Sequence, residues 1–341
     1  MKSETNASQF DITETSTETR AARFHQYVEQ YLLVPSKIVW SDKRARFGSL
    51  IILLYLLMGT VGVAVVKQPK ANQGERLIAP FQTMAFPLGT DGLGRGILAQ
   101  IVHATPFMLK MVFAGAVFTV TVATVVGTLA GYKGGTVDSG LMTITDIALT
   151  IPGLVLVIVL AVILNPKGPF LIGIVLSINA WAGLARAIRS EVLSLRHESY
   201  VEASRVLGLS TSKILRQDVI PNLMPYITMN FVQAARTVIF GSVGLFFLGI
   251  LTSSAPNWGK MMNLAYSTAG ALYTVDTAHW LIMPMLTIIL FSLGLTLFAQ
   301  GADRLFNPRI QARHSDSTPD KSSEDDAGDA TTVGTNSGGT L

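Results

Sequence analysis

Two kinds of side chain are scarce in this chain. None of its 341 residues is cysteine, which excludes a disulfide framework, a thiolate metal site and a cysteine nucleophile. Charge is the second shortage: Asp, Glu, Lys and Arg make up 14% of the residues, against roughly 25% in an ordinary soluble domain. The charges present are bunched, so long stretches carry none, and most soluble folds are excluded. Apolar residues fill the gap, at 49% of the chain with a mean hydropathy of +0.44. The length suits about two soluble domains, but about six membrane spans of ~20 residues fit it equally well.

Signatures of hydrolytic or redox chemistry are missing too. His25, His103, His197, His279 and His314 are scattered, with no pair at the spacing of metal ligands on one helix face, so no metal site is expected. No Gly-x-x-x-x-Gly-Lys-Ser/Thr loop exists for a nucleotide. The run Gly89-Thr90-Asp91-Gly92-Leu93-Gly94-Arg95-Gly96 has no buried strand before it and its third glycine is out of register, so it is not a dinucleotide loop. No catalytic residue is assigned and the chain is not read as an enzyme.

Residues 1–18 are Ser/Thr/Glu-rich with few large apolar side chains, the composition of a disordered lead. In 19–46, Phe24, Tyr27, Val28, Tyr31 and Leu32 alternate at helical spacing with Arg20, Arg23, His25 and Glu29, as in an amphipathic helix lying in a headgroup layer. Charge-poor runs then place spans near 47–66, 109–131, 147–165, 169–185, 222–244 and 280–301. Gly241, Gly244, Gly249 and Pro256 offer breaks after the fifth span, so 237–279 reads as a bent segment near the outer surface, with a seventh span as the alternative. Residues 311–341 form an acidic, Ser/Thr/Gly-rich tail.

Net charge is only +4, so the placement of Lys and Arg carries the information. Lys43, Arg44 and Arg46 precede the first span; Arg186, Arg189, Arg196, Arg205, Lys213 and Arg216 fill 186–218; Arg304, Arg309 and Arg313 follow the last span. Six spans then put both termini in the cytoplasm of a multi-pass plasma or inner-membrane protein. The 186–221 loop is longer than a connector needs and is patterned. Ile188, Val192 and Leu195 continue a helix, 198–207 are good helix formers, and Gly208 stands where a left-handed glycine ends a helix. Ser210 or Ser212 can cap a second short helix to about Val219, and Pro221 closes the loop.

The loop is also where a family becomes recognisable. Glu202-Ala203-Ser204, then Gly208 and Leu209, then Ile220-Pro221 resembles the Glu-Ala-Ala loop of binding-protein-dependent ABC importer permeases, with Ser204 for the second alanine, Asp218 for the usual isoleucine and Ile220 for leucine. Pro87-Leu88-Gly89-Thr90-Asp91 with Gly94-Arg95 resembles the external motif before the second span in the dipeptide/oligopeptide/nickel permeases. Phe247-Leu248-Gly249, then Pro256-Asn257-Trp258-Gly259 and Met261, is similar to their external segment after the fifth span. Tyr132-Lys133-Gly134-Gly135, Asp138, Asp146 and the ending Leu305-Phe306-Asn307-Pro308-Arg309 match as well, so the likeness covers about residues 40–310.

The resemblance implies an all-α type I ABC importer permease over 47–310, with six transmembrane helices, an N-terminal interfacial helix and a cytoplasmic coupling-helix loop. It implies a second homologous permease, two cytosolic ATPase chains that carry ATP and Mg, and an external solute-binding protein as partners, with no cofactor in this chain and no nucleic acid. Glu202, Ala203, Ser204, Gly208, Leu209 and Pro221 would form the loop that docks on the ATPase. Di- or oligopeptides would be the cargo, with nickel or oligosaccharides as the alternative. Arg236, a charge inside a span, either lines the cargo path or is paired structurally. Asp91, Arg95 and Trp258 are candidates for docking the binding protein, although a turn closed on Thr90-Asp91-Gly92 by its own bonds accounts for the first two equally well. An ion-coupled secondary transporter and a non-transporting membrane anchor are the readings from other classes.

Overall fold

The computed structural model describes residue 40 and residues 42–305. The expected 1–18 lead, the interfacial segment up to residue 39 and the 311–341 tail lie outside the described residues. Within them every regular element is a helix, and the one β-bridge, Thr90 to Gly96, is isolated.

Helix α1, Lys43–Leu57, starts where the Asp42 carboxylate accepts the amides of Arg44 (2.7 Å) and Ala45 (3.3 Å), and it continues through a π-turn, Met58–Gly62, to Val65. Asp42 thereby satisfies two of the four amides a helix start leaves open. Helix α2, Ile97–Lys133, is 37 residues long. At about 1.5 Å per residue it spans roughly 55 Å, far more than the ~30 Å core of a bilayer. It therefore begins well before the expected 109–131 span and projects beyond the apolar layer.

The next two segments are bent, where straight spans were expected near 147–165 and 169–185. Helices α3 (Gly135–Thr150) and α4 (Gly153–Leu164) meet at 82°, and α5 (Pro169–Ser177) and α6 (Ala180–Leu195) meet at 59°. Pro152 causes the first break: proline has no N–H to continue the ladder and pushes the residue before it out of the helical region, and Ile151 is extended at φ −79°, ψ 124°. The break frees the Ile151 carbonyl, which in lipid must find a donor. Asn179, at the second break, supplies it through Nδ2 at 3.1 Å, so the two bends are tied to each other.

After α6 come α7 (Ser199–Val206), α8 (Thr211–Ile214), a π-turn (Leu215–Val219), α9 (Ile220–Phe247), α10 (Trp258–Ala269) and α11 (Val275–Leu305). Two expectations change here. The second short helix of the 186–221 loop is not separate but runs through the π-turn into α9, so Pro221 lies in the first turn of a long helix instead of closing a loop. Nor does the chain bend at Gly241 or Gly244: α9 passes through both and ends beside Gly249, at φ +72°. Four helical stretches, 43–65, 97–133, 211–247 and 275–301, are long and apolar enough to cross a membrane, and each bent pair taken as one span makes six. The chain is an all-α, multi-pass membrane protein.

Two apolar clusters hold the helices. The larger is centred on Trp258, whose ring meets Tyr55 at 5.9 Å and Phe291 at 6.0 Å edge to face, joining α10 to α1 and α11. The smaller sits at the far end of α2 and gathers Ile188, Val192, Val201, Ile214, Val219 and Leu223. Helices α2 and α6 approach closely above it, where a Cβ on Gly131 would lie 2.8 Å from the Arg189 carbonyl oxygen.

Candidate functional site

Three places collect the residues singled out by the sequence. The first is the two-helix knob at the C-terminal end of α2. Helix α7 ends in a Schellman arrangement: the Gly208 amide donates to Arg205 O at 3.0 Å and the Leu209 amide to Ser204 O at 3.2 Å, with Gly208 left-handed at φ +74°. Ser210 occupies the N-cap position of α8 with extended backbone but donates and accepts no capping bond through its side chain. Val201, wholly buried, anchors α7 in the smaller cluster, and Leu209 packs at its edge. Full burial of a valine or isoleucine out of water contributes about 1.5–3 kcal/mol, so Val201 and Ile214 together pin the knob firmly.

The opposite face of α7 is bare. Glu202 and Ala203 are exposed, Ser204 is half-buried, and Val206 and Leu207 stand 87% and 78% exposed at the tip. Two adjacent large apolar side chains are thereby held out at the tip of the turn that the left-handed Gly208 closes. Pro221 is also exposed, on the α9 side of the knob. Burial, then the neighbouring carboxylates of Glu198 and Asp218, push the Tyr200 hydroxyl above its ordinary pKa. Asp218 itself keeps Oδ2 buried with no hydrogen-bond partner among the described residues.

Four of the five arginines of this region, which the sequence presented as a cytoplasmic charge bias, also make ties within the fold. Arg189 donates to both oxygens of Asp138 in a part-buried fork, and Arg186 pairs with Asp146. Arg196 donates to Gly131 O at 3.2 Å, and the Arg205 guanidinium lies 5.7 Å from the Tyr132 ring centre. The knob is thereby braced to the end of α2, and α6, from which it hangs, is braced to α3.

The second place is the turn before α2. Asp91 is fully buried and its carboxylate accepts four bonds: Leu93 N and Arg95 N at 2.9 Å, Arg95 Nε at 2.7 Å and Gln100 Nε2 at 3.0 Å. Thr90, also buried, bonds Glu75 O and Ile78 N through its hydroxyl, and His279 Nε2 lies 3.1 Å from Thr90 O. Of the three docking candidates, then, Asp91 and Trp258 present no surface to a partner. Asp91 closes the turn, and Trp258 is the centre of the core with its Nε1 on Ile101 O. Arg95 remains 24% exposed.

The third place is the middle of α9. Arg236 is half-buried and reaches Ser292 Oγ of α11 at 3.3 Å and Gln233 Oε1 at 3.4 Å, with no ion pair among the described residues. The sequence reading stopped at this charge and missed its neighbours. Tyr226, Asn230, Gln233 and Thr237, spaced four, three and four apart, share one helix face and line an open cavity of about 250 Å³ with Thr119 of α2 and Gly183 of α6. That spacing was the signal available in the sequence. Polar side chains at this depth do not face lipid without cost, so this face meets water or protein.

Comparison with known proteins agrees with the geometry. Residues 123–312 match the family described as binding-protein-dependent transport system inner membrane component. The chain is 29% identical over 278 residues to the dipeptide transport system permease protein DppC of Bacillus subtilis, covering 79% of this chain and 83% of that one. It is 29% identical over 273 residues to the oligopeptide transport system permease protein OppC of the same organism, covering 80% and 87%. To the OppC of Haemophilus influenzae it is 30% identical over 271 residues, covering 76% and 84%.

Proposed function

The chain belongs to the family of inner-membrane components of binding-protein-dependent transport systems, and from that premise we propose that it is the permease subunit of an ATP-driven importer of di- or oligopeptides. The observation that carries the reading is the braced knob with Val206 and Leu207 at its tip. On this reading the knob, through Glu202, Ala203, Ser204, Gly208 and Leu209 with Pro221 beside it, seats in a groove of a cytosolic ATPase. ATP and Mg bind to that partner, and this chain supplies neither cofactor nor catalytic group. Both termini are cytoplasmic, which puts the Thr90–Arg95 turn and α10 outside, where a solute-binding protein docks.

A second, homologous permease covers the polar face of α9, and the cargo crosses between the two along Asn230, Gln233 and Thr237 with Arg236 at its side. Closure of the ATPase pair pushes the knobs together and switches this passage between its two openings. The dipeptide and oligopeptide permeases to which the chain is similar support peptides as cargo.

The test is assembly. The tagged chain is co-expressed with the second permease and the ATPases of its transport system, and purified from membranes. ATPase is expected to co-purify, and Leu207→Asp is expected to lose it while leaving membrane insertion intact. Retention of ATPase by Leu207→Asp, or peptide uptake by the chain with no ATPase present, would overturn the assignment.

A further inference from the structure

At the end of α2 away from the knob, the first turns of α2, the 67–96 segment, the 250–257 turn and the first turns of α10 line an open cavity of about 450 Å³. Its wall brings Arg95, His103 and Lys260 together, and no carboxylate lines it. The nearest acid, Asp91, is behind the wall, fully buried and committed to four donors. It holds Arg95, which lines the cavity, only through Nε, and the outer guanidinium nitrogens make no hydrogen bond among the described residues. Lys260 Nζ makes one bond, to Ser253 O at 2.9 Å, and keeps two protons to donate. His103 is fixed with Nε2 on Val66 O at 2.8 Å. With Arg95 balanced by Asp91, the ammonium of Lys260 leaves the cavity one positive charge in excess.

Two unspent donor groups facing a preformed hollow with no acid of its own fit a carboxylate, which a guanidinium edge and an ammonium hold well. The volume exceeds what a lone carboxylate fills and suits a side chain with its flanking residues. The cavity shares no residue with the polar face of α9, and its walls combine α2 and α10 with loops that are held by the Asp91 bonds and by Asn257, whose side chain accepts the Lys260 amide at 2.8 Å. A rigid pocket with complementary charge is how a docked protein is anchored. We propose that this cavity receives an aspartate or glutamate side chain of the external binding protein, with Lys260 and Arg95 as its two anchors. The inference rests on the importer reading above.

The assembled importer, in nanodiscs with its ATPases, is titrated with the solute-binding protein of its own system. Wild-type affinity is expected to fall as salt rises, Lys260→Gln to weaken it about tenfold and Lys260→Glu about a hundredfold. Lys167→Glu, exposed at the same end but outside the cavity, is expected to stay within twofold. One Asp→Lys or Glu→Lys change on the binding protein should restore binding to Lys260→Glu. If Lys260→Glu binds within twofold of wild type in an intact assembly, the inference is overturned. Should that variant not assemble, the same scan against unmodified permease decides: one acid worth tenfold supports the pocket, and none overturns it. An assembly that retains its ATPases but binds no external protein overturns the pocket alone, whereas loss of ATPase as well overturns the importer reading.

Discussion

Gly208 isolates a single physical quantity, the strain of a left-handed backbone, from everything else in the knob. Its φ is +74°, and a Cβ built there meets no atom within 4 Å. A side chain therefore costs only backbone energy, about 1–2 kcal/mol for an L-residue in this region. That corresponds to roughly a 5- to 30-fold change in the population of the turn. The two bonds closing α7, to Ser204 O and Arg205 O, depend on this conformation, and with them the direction in which Val206 and Leu207 point. Asparagine tolerates the left-handed region better than alanine, and a β-branched residue tolerates it worst. A series of Gly, Asn, Ala and Val at position 208 should then show ATPase retention falling in that order, with Ala lowering effective affinity about 5- to 30-fold. Membrane-inserted protein, quantified by fluorescence-detected gel filtration, should stay within twofold throughout, because Val201 and Ile214 hold the knob independently. Equal retention by Ala and Asn, or a loss of inserted protein parallel to the loss of retention, would refute the reasoning.

Other substitutions separate packing from passage. Gly131→Leu drives a side chain into the Arg189 carbonyl and Val192, so it should cost at least about 1–3 kcal/mol and lower the melting temperature in detergent. Asp91→Asn removes the charge that holds Arg95 and two amides. With about 1–3 kcal/mol lost at a buried site, the 67–96 segment should become protease-sensitive while ATPase retention is unchanged. Asn230→Leu with Gln233→Leu makes the α9 face apolar without touching the knob. Peptide uptake into vesicles should fall at least tenfold with retention intact, and unchanged uptake would exclude this face as the passage.

What the sequence made legible was whatever depends on local composition. The spans announce themselves as runs without charge, and the left-handed glycine at 208 by its place after a helix-forming stretch. What it hid depends on which groups a side chain meets. For Asp91 and Arg95 the sequence left a docking pair and a turn closed by its own bonds equally open, and the choice rests on donors at 93, 95 and 100 that only the folded turn brings round Asp91. Pro152 and Asn179 lie inside apolar runs, where counting charge passes over them. The proline rule alone marks the first bend, but the bond from Asn179 to Ile151 O joins residues 28 apart and has no trace in the sequence. Lys260 and His103 belong to segments far apart in the chain and meet only across the cavity that Arg95 also lines.

These pieces bear on how a push on the knob would reach the passage. The knob is continuous with α6 through Arg196, and α6 is held to α2 by the close approach at Gly131 and to α3 by the Arg189–Asp138 fork. A displacement there has no soft element to dissipate in until the bend at Asn179, since packed helices move as bodies and flexible joints absorb the change. On the other side the knob runs without interruption into α9, whose Asn230 and Gln233 face the cavity beside Gly183 of α6. The same push thus arrives at the polar face from two helices, and the π-turn at 215–219 and the tied bends at 151 and 179 are the places where their paths can differ. If α6 and α9 instead moved as one block, the cavity between them would keep its width during turnover. Paired labels at Gly183→Cys and Asn230→Cys, which the cysteine-free chain allows without background, should report a distance that changes when ATP binds; an unchanged distance in an importer that still transports would rule this route out.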